Sequence, residues 1–209
     1  MARILLTAGP TRAYIDDVRF LTNASSGRMA AAIATAALAA GHEVTIVSGP
    51  VPVRYPARAR VIPVVTTADM LAATVAELPG CDGVIAAAAP CDFAPRTRAA
   101  GKIPRQGTSL TLALEPTPDV IATLARQARP KQWFVAFALE PGADPRRAFG
   151  KIEAKRCDLI VVNDVAAIEA TATAVTVYDR SHAAVGSKAG TKRAVAAWLV
   201  RLIDTRLMG

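Results

Sequence analysis

Short apolar runs alternate along the chain with alanine-rich stretches that repeat apolar residues at helical spacing. Apolar runs bounded by Gly, Pro and Asp predict buried β-strands. They cover Arg3–Ala8, Glu43–Ser48, Val61–Val65, Gly83–Ala88, Leu110–Leu114, Trp133–Leu139 and Leu159–Val162. Strands that alternate with helices of about 10 to 15 residues are typical of βαβ units. The pattern therefore predicts an α/β fold with a doubly wound, mostly parallel, Rossmann-like sheet.

Polar residues and glycines delimit the predicted helices. Thr66 or Thr67 and Asp144 can cap helix starts, because their side chains accept hydrogen bonds from first-turn N–H groups. Gly41 suits the left-handed position that ends a helix. Helices are predicted over Arg28–Ala40, Ala68–Leu78, Asp119–Gln127, Asp144–Arg156 and Thr191–Leu207.

The C-terminal part and one long loop complete the predicted organisation. Ala174–Tyr178 and Ala183–Val185 can pair as a small hairpin before the last helix. Pro90–Gly107 is a Pro-, Gly- and Arg-rich loop, and loops of this length usually carry function or lack order. The chain shows no internal repeat and no linker, so residues 1–209 are expected to form a single domain.

The chain is basic, with a formal net charge of +8 and a pI near 9.9. This charge is either a solvated basic surface or the sign of an anionic ligand. Scattered arginines and lysines and few aromatic residues argue against nucleic acid as that ligand and suit a small polyphosphate better. The three cysteines form no disulfide or metal-binding motif, which indicates a reducing compartment. No apolar run reaches about 18 residues and no signal peptide is evident, so we expect a cytoplasmic protein without a membrane partner.

Ligands of open α/β sheets bind beyond the carboxyl ends of the strands. This rule selects four segments of the chain, namely 9–27, 86–102, 137–140 and 163–164. The first lacks both the GxGxxG fingerprint and the P-loop motif, yet Ser25-Ser26-Gly27 precedes a helix. Free N–H groups there would bind an anion, while the alternative is an ordinary helix cap. Asp92 is either a turn residue or a hydrogen-bond acceptor for a ligand.

Several lysines are open to two interpretations. Lys151 and Lys155 are four residues apart on one predicted helix and share a face, where they are either solvated or bind an anion. Lys102 lies among arginines in the long loop and could close over a phosphate. Neither histidine has an evident set of catalytic partners. The residues alone therefore indicate an anion- or nucleotide-binding α/β domain.

Motifs in these segments resemble those of phosphopantothenate–cysteine ligases. They are Thr7-Ala8-Gly9-Pro10-Thr11-Arg12, Asp17-Val18-Arg19-Phe20-Leu21-Thr22-Asn23-Ala24-Ser25-Ser26-Gly27-Arg28-Met29, Ala87-Ala88-Ala89 with Asp92, Lys102-Ile103, Pro118-Asp119, Phe137-Ala138-Leu139-Glu140, and Lys151 with Lys155 before Asp158-Leu159-Ile160-Val161-Val162-Asn163-Asp164. The resemblance covers about residues 4 to 164 in order. In bacteria this ligase is usually the C-terminal half of a bifunctional protein whose other half is a flavin-dependent decarboxylase. No flavin-binding half is expected in this chain.

The resemblance implies a set of site residues. A first group would bind the nucleotide, with Gly9, Ser25 and Gly27 at the triphosphate, Phe137 and Asn163 at the nucleoside, and Lys151 and Lys155 as further contacts. A second group would hold the substrate near its carboxylate and comprises Asn23, Ala88, Ala89 and Asp92. Arg19 would reach 4′-phosphopantothenate from the neighbouring subunit of a homodimer. Lys102 would lie on a flap and, with Asn23, serve catalysis.

The implied reaction activates a carboxylate with CTP or ATP, CTP being favoured in bacterial members. Attack on the α-phosphate gives an acyl nucleotide and pyrophosphate, and the amine of cysteine then displaces the nucleoside monophosphate. Mg²⁺ and lysines would stabilise the charge of the first step. The sequence does not indicate which residues would coordinate Mg²⁺.

The chain departs from the pattern of these ligases at several positions. Ala30 replaces a glycine, Pro90-Cys91 replaces Val-Ala, and Phe93 replaces a tyrosine. The region 168–177 lacks the usual Asn- and Asp-rich motif. Two other functions are weighed against the ligase. A nicotinamide-dependent Rossmann-type reductase is disfavoured by the missing glycine fingerprint, and a non-catalytic nucleotide-binding or nucleic-acid-binding module would show salt-dependent binding to oligonucleotides.

Overall fold

The computed structural model describes residues 1–105, 107, 109–164 and 171–209. Its strands are β1 Arg3–Ala8, β2 Arg12–Tyr14, β3 Phe20–Thr22, β4 Glu43–Ser48, β5 Arg60–Pro63, β6 Gly83–Ala86, β7 Phe93–Pro95, β8 Leu114–Pro116, β9 Trp133–Leu139, β10 Leu159–Asn163, β11 Ala172–Asp179 and β12 Ala184–Thr191. Its helices are α1 Arg28–Ala39, α2 Thr67–Glu77, α3 Val120–Gln127, α4 Pro145–Lys155 and α5 Lys192–Leu207. Two short 3₁₀ turns cover Leu78–Gly80 and Pro141–Ala143.

Eight of these strands form the central sheet, in the order β12-β11-β10-β9-β6-β1-β4-β5. The strands from β10 to β5 are parallel, while β11 and β12 join antiparallel at one edge. The predicted α/β fold with a mostly parallel sheet is therefore confirmed. The predicted C-terminal hairpin is present and is longer than expected on both strands.

The helices cover both faces of the sheet because the buried strands are apolar on both faces. Along β1, Ile4 and Leu6 pack with α1 and α5, whereas Leu5 packs with α2, α3 and α4. Small alanines of α1 are fully buried, so this helix lies close to the sheet. The two cores bury both faces of the sheet, so a ligand can approach at the ends of the strands.

Most helix boundaries follow the sequence signals. Thr66, Asp144 and Thr191 cap α2, α4 and α5 through their side chains, and Gly41 takes a left-handed φ of 87° after α1. The start of α3 is capped by Asp119. Thr117 and Pro118 therefore precede the helix.

One strand prediction is wrong, and two short ribbons were not predicted. The strand predicted at Leu110–Leu114 lies instead at Leu114–Pro116, where it pairs with Phe93–Pro95 inside the predicted long loop. The partner strand is short and includes Pro95, which has no N–H to donate, so pairing cannot extend far. A second small ribbon, β2 with β3, occupies the segment between Gly9 and Gly27. Gln106 of the predicted loop and residues 168–170 of the altered motif lie outside the described residues.

No helix in the described part of the chain is long and apolar enough to cross a membrane.

Candidate functional site

Two adjoining cavities lie beyond the carboxyl ends of the parallel strands. The larger, of about 160 Å³, is bordered by the start of α1. The smaller, of about 120 Å³, is bordered by the start of α3. Ala88, after β6, and Phe137, on β9, line both cavities. These side chains form the wall that the two spaces share.

The larger cavity has the features of an anion site. It is lined by Ser25, Ser26 and Gly27, which lead into α1. Gly27 is the N-cap with φ 72°, and no side chain caps the helix. First-turn N–H groups and the helix dipole therefore favour a negative group at this position. Asn163, at the end of β10, lines the same cavity.

Val51 limits the space behind two glycines of this region. Gly9 and Gly27 both have positive φ, of 70° and 72°. A Cβ atom on Gly9 would lie 2.7 Å from Cγ1 of Val51, and a Cβ atom on Gly27 would lie 3.0 Å from the same atom. Both positions thus require glycine for backbone conformation and for packing. Gly9 itself lies behind the cavity, where its carbonyl accepts a hydrogen bond from Ala89 N at 2.9 Å.

The smaller cavity combines an apolar floor with charged groups at its rim. Asp92, Asp119 and Lys155 line it, together with Pro90 and Cys91. Lys155 Nζ lies 3.1 Å from Asp119 Oδ2. The other oxygen of that carboxylate accepts a hydrogen bond from Ala122 N at the start of α3, at 3.1 Å. The Asp92 carboxylate has no hydrogen bond or ion pair with another described residue.

Asn23, in the segment that precedes α1, forms hydrogen bonds to the loop after β6. Its Nδ2 donates to the carbonyls of Ala89, at 3.1 Å, and of Pro90, at 2.8 Å. Both hydrogens of the amide are thus committed to backbone acceptors. In this geometry Asn23 positions the Ala89–Pro90 backbone, and it would have to release one of these bonds to donate to a reacting oxygen.

Lys151 and Lys155 lie on one face of α4 but meet different partners. Lys151 Nζ is 2.5 Å from Oε1 of Glu140, whose carboxylate is buried at the end of β9. Lys151 lines neither cavity, whereas Lys155 lines the smaller one. The two lysines therefore differ in what surrounds them, although their spacing in the sequence is helical.

Arg19 and Lys102 belong to a separate cluster of polar contacts. Oδ2 of the buried Asp16 accepts hydrogen bonds from the Arg19 guanidinium and from Ile103 N. Arg19 also donates to the carbonyl of Ile103 at 2.8 Å. These hydrogen bonds, from Arg19 first, hold the pKa of Asp16 well below its usual value. The cluster fixes the backbone beside Lys102, which is exposed and lines neither cavity.

Two residues that the sequence analysis did not single out also line the larger cavity. They are Thr173, near the start of β11, and Lys192, the first residue of α5. Burial lowers the pKa of Lys192, and the positive charge of Arg28 lowers it further. A lysine in the first turn of a helix opposes the helix dipole. That unfavourable placement is the signal that could have drawn attention to it.

The structure thus groups some of the expected site residues and separates others. The larger cavity is lined by Ser25, Gly27, Ala88, Ala89, Phe137 and Asn163, and the smaller cavity is lined by Asp92 and Lys155. Gly9, Asn23 and Lys151 contact residues next to these cavities, while Arg19 and Lys102 lie in the Asp16 cluster. Of the positions that depart from the ligase pattern, Ala30 lines the larger cavity, Pro90 and Cys91 line the smaller, and Phe93 is exposed.

A family model described as the DNA/pantothenate metabolism flavoprotein C-terminal domain matches residues 1–207. The chain belongs to this family. A crystal structure of the C-terminal domain of the coenzyme A biosynthesis bifunctional protein CoaBC superposes with a TM-score of 0.84 at 34% identity, over 99% of this chain and 95% of that one. A Cab2 mutant in complex with phosphopantothenate-cysteine shares the fold, with a TM-score of 0.76 at 16% identity over 97% and 86% of the two chains.

Curated relatives in the family are longer proteins. The CoaBC protein of Bacillus subtilis is 42% identical over 165 residues, which is 78% of this chain and 40% of the relative. A protein named cysteine/cysteine sulfinic acid decarboxylase, from an unknown prokaryotic organism, is 39% identical over 208 residues, or 97% of this chain and 58% of the relative. The chain therefore spans 40% and 58% of these two relatives. The resemblance to the ligase half of a bifunctional coenzyme A biosynthesis protein is confirmed at the level of the family.

Proposed function

We propose that this chain joins 4′-phosphopantothenate to cysteine through an acyl-nucleotidyl intermediate, as a ligase of coenzyme A biosynthesis. The observation that carries the proposal is the pair of cavities with a shared wall. One cavity suits a polyphosphate, and the other offers an apolar floor with charged groups at its rim. The wall at Ala88 and Phe137 is where a nucleotide α-phosphate and a substrate carboxylate could meet. Family membership and the CoaBC relatives support the same reaction.

In the first step a carboxylate oxygen of phosphopantothenate attacks the α-phosphorus, and the bond to the departing pyrophosphate breaks. The start of α1, with Ser25 and Gly27, would bind the phosphates as charge develops on them. Phe137 and Asn163 would hold the nucleoside. Lys155 would add positive charge to the nucleotide from the rim of the smaller cavity. Lys102, which the structure places outside both cavities, would do so only after its segment moves towards the site.

In the second step the amine of cysteine attacks the acyl carbon, and the nucleoside monophosphate leaves with the electron pair of the broken bond. Asn23 would act here by holding the Ala89–Pro90 backbone, or by turning one N–H towards the acyl oxygen. Ala88, Ala89 and Asp92 would keep the acyl chain in line with the attacking amine. Proximity of this kind is a large part of the barrier reduction in two-substrate reactions.

We propose CTP as the nucleotide and Mg²⁺ as its counter-ion. The described residues contain no group of three or more potential metal ligands, which suits an ion that is held largely by substrate phosphates. Asp92 has the hard oxygen donors that Mg²⁺ prefers and could complete its coordination. When bound, the ion would neutralise charge on the phosphates.

We further propose that the enzyme is a homodimer in which Arg19 reaches the phosphopantothenate of the neighbouring subunit. The Arg19 side chain is 41% exposed although it is bonded to Asp16, so one side of it is open to another subunit. Val18 beside it is exposed and apolar. Light scattering coupled to size-exclusion chromatography would measure the mass in solution, and a monomer at the enzyme concentration of the assay would contradict this proposal.

The reaction is tested by measuring pyrophosphate release with 4′-phosphopantothenate, Mg²⁺ and each of the four nucleoside triphosphates, with and without cysteine. We expect release that needs phosphopantothenate and is fastest with CTP, with product formed only when cysteine is present. Absence of turnover with every nucleotide, in protein shown to be folded by circular dichroism, would refute the ligase. A control with cysteine alone measures CO₂ release, which would instead favour the activity named for the decarboxylase relative.

A further inference from the structure

A buried hydroxyl without a partner lines the larger cavity. Thr173 is 7% exposed, and its Oγ1 atom forms no hydrogen bond with a described residue. On β11 the alternate residues Thr173, Val175 and Val177 are buried on one face of the sheet. A valine at the first position of this row would have nearly the same shape without the cost of an unpaired hydroxyl. The hydroxyl of Thr173 therefore indicates a partner that the described part of the chain does not supply.

Side chains from three neighbouring strands form one surface of this cavity. Phe137 and Leu139 lie on β9, Asn163 lies on β10 and Thr173 lies on β11, and all four line the cavity. Each of these strands packs its alternate residues in the core that also contains α1 and α5, so the four side chains lie on the same face of the sheet. Phe137 and Leu139 give this surface an apolar part, and Asn163 and Thr173 give it a polar end.

The order of the strands gives the direction of a bound nucleotide. The helix α1 packs against β1 and β4, so its anion-binding start, with Ser25 and Gly27, lies on the β1 side of the cavity. Ala88 follows β6, and Phe137 lies on β9. The sheet order from β1 is then β6, β9, β10 and β11. With the outer phosphates at α1 and the α-phosphate at the wall of Ala88 and Phe137, the nucleoside extends towards Thr173.

Distance across the sheet decides which part of the nucleoside reaches β11. Neighbouring strands lie about 4.8 Å apart, so Phe137 and Thr173 are separated by roughly 10 Å across the sheet. The ribose is bonded to the α-phosphate, and the base is the end of the nucleotide farthest from the phosphates. A nucleoside that begins at Phe137 therefore places its base near Asn163 and Thr173.

We propose that the Thr173 hydroxyl forms a hydrogen bond with the base of the nucleotide. Cytosine, the base of the proposed co-substrate, presents an amino donor beside a ring-nitrogen acceptor at its outer edge. The hydroxyl of Thr173 and the amide of Asn163 can each donate and accept, so the two side chains complement that edge. This assignment rests on the proposed ligase function for the place of the nucleotide in turnover, although nucleotide binding can be measured without turnover.

The experiment measures the binding of CMP, ribose 5-phosphate and inorganic tripolyphosphate to wild type and Thr173→Val by isothermal titration calorimetry. Loss of one neutral hydrogen bond should weaken CMP about threefold to tenfold. The two probes that lack a base should change less than about twofold, and Thr173→Ser, which keeps the hydroxyl, should bind CMP within about twofold of wild type. Thr176→Val is the matched control, because Thr176 lies on the same strand and lines neither cavity.

Stability gives a second measurement, which separates ligand binding from folding. Thr173→Val removes an unpaired buried hydroxyl, so its melting temperature without ligand should equal or exceed that of wild type. The proposal is overturned if wild type does not bind CMP, if Thr173→Val binds CMP as tightly as wild type does, or if ribose 5-phosphate or tripolyphosphate binding falls as much as CMP binding. Expected CMP results without any ligase turnover would contradict the proposed reaction and leave the base contact supported.

Discussion

Replacing Lys151 with glutamine removes the cation that faces the buried carboxylate of Glu140. The family resemblance assigns Lys151 to the nucleotide, whereas the structure places its ammonium 2.5 Å from Glu140 Oε1. The Glu140 side chain is 4% exposed, and that of Lys151 is 42% exposed. The substitution should therefore affect folding as well as any nucleotide contact.

The size of the effect follows from these exposures. Removing one partner of a fully buried ion pair costs about 3–5 kcal/mol, and an exposed pair contributes about 0–1 kcal/mol. With one partner buried and the other partly solvated, we expect Lys151→Gln to lower the free energy of unfolding by about 2 kcal/mol. For a chain of this length that is a fall of roughly 4–8 °C in melting temperature.

Thermal melts and urea titrations of Lys151→Gln, Glu140→Gln and the double variant measure the coupling. Glu140→Gln removes the buried charge, so the double variant should be more stable than the sum of the single losses predicts. Lys155→Gln is the matched control on the same helix. Its pair with Asp119 is more exposed, at 27% and 46%, and should contribute at most about 1 kcal/mol.

A melting temperature of Lys151→Gln within about 1 °C of wild type would refute this reasoning, as would strictly additive losses in the double variant. If stability is unchanged while the KM for the nucleotide rises, Lys151 is a nucleotide contact alone. If stability falls and the KM of the folded enzyme is unchanged, its role is confined to Glu140.

Two further predictions concern the reaction. Asn23→Asp places carboxylate oxygens against the carbonyls of Ala89 and Pro90, which accept hydrogen bonds from the wild-type amide at 3.1 and 2.8 Å. The acyl nucleotide should therefore form but pass to cysteine about 10²–10³-fold more slowly. Single-turnover assays with labelled nucleotide would show its accumulation, and a normal rate of product formation would exclude this role of Asn23. Lys102→Gln should greatly slow formation of the acyl nucleotide. Because the side chain is exposed, the free energy of unfolding should change by no more than about 0.5 kcal/mol. Wild-type kinetics in the same assay would show that Lys102 is not part of the site.

The parts of the fold that could be predicted from sequence are those set by local signals. Apolar runs such as Trp133–Leu139 are mostly buried in the structure, as the pattern of a central strand predicts. Caps such as Thr66 and Asp144 act within one turn, so their effect is visible in a few residues. The ribbons β2–β3 and β7–β8 were missed because their pairing depends on partners that periodicity does not reveal.

In the candidate site, too, residues marked by a local sequence signal could be predicted, and residues brought there by distant elements could not. The strand-end rule selected the segments that carry Ser25, Gly27 and Asn163, since it depends only on strand direction. Thr173 lies at the amino end of an antiparallel strand, and Lys192 follows the hairpin, so a rule framed for parallel strands gave no reason to choose them. Helical spacing correctly placed Lys151 and Lys155 on one face of a helix. Their ion-pair partners, Glu140 and Asp119, lie outside that helix, so the pairs could not be predicted from spacing.

The Cγ1 methyl group of Val51 limits the space for a side chain at both position 9 and position 27. The residues that can be accepted at positions 9, 27 and 51 therefore depend on one another. A side chain smaller than valine at 51 would remove the shortest contact of a methyl group at either glycine. The contacts of 3.1 Å with Gly49 O at position 9 and with Val53 Cγ1 at position 27 would persist, as would the cost of a positive φ. Exchanges at these sites are therefore expected to be epistatic, so that a residue tolerated at one position depends on the residues at the other two. Variants of the phosphate-binding segment are best interpreted with position 51 included.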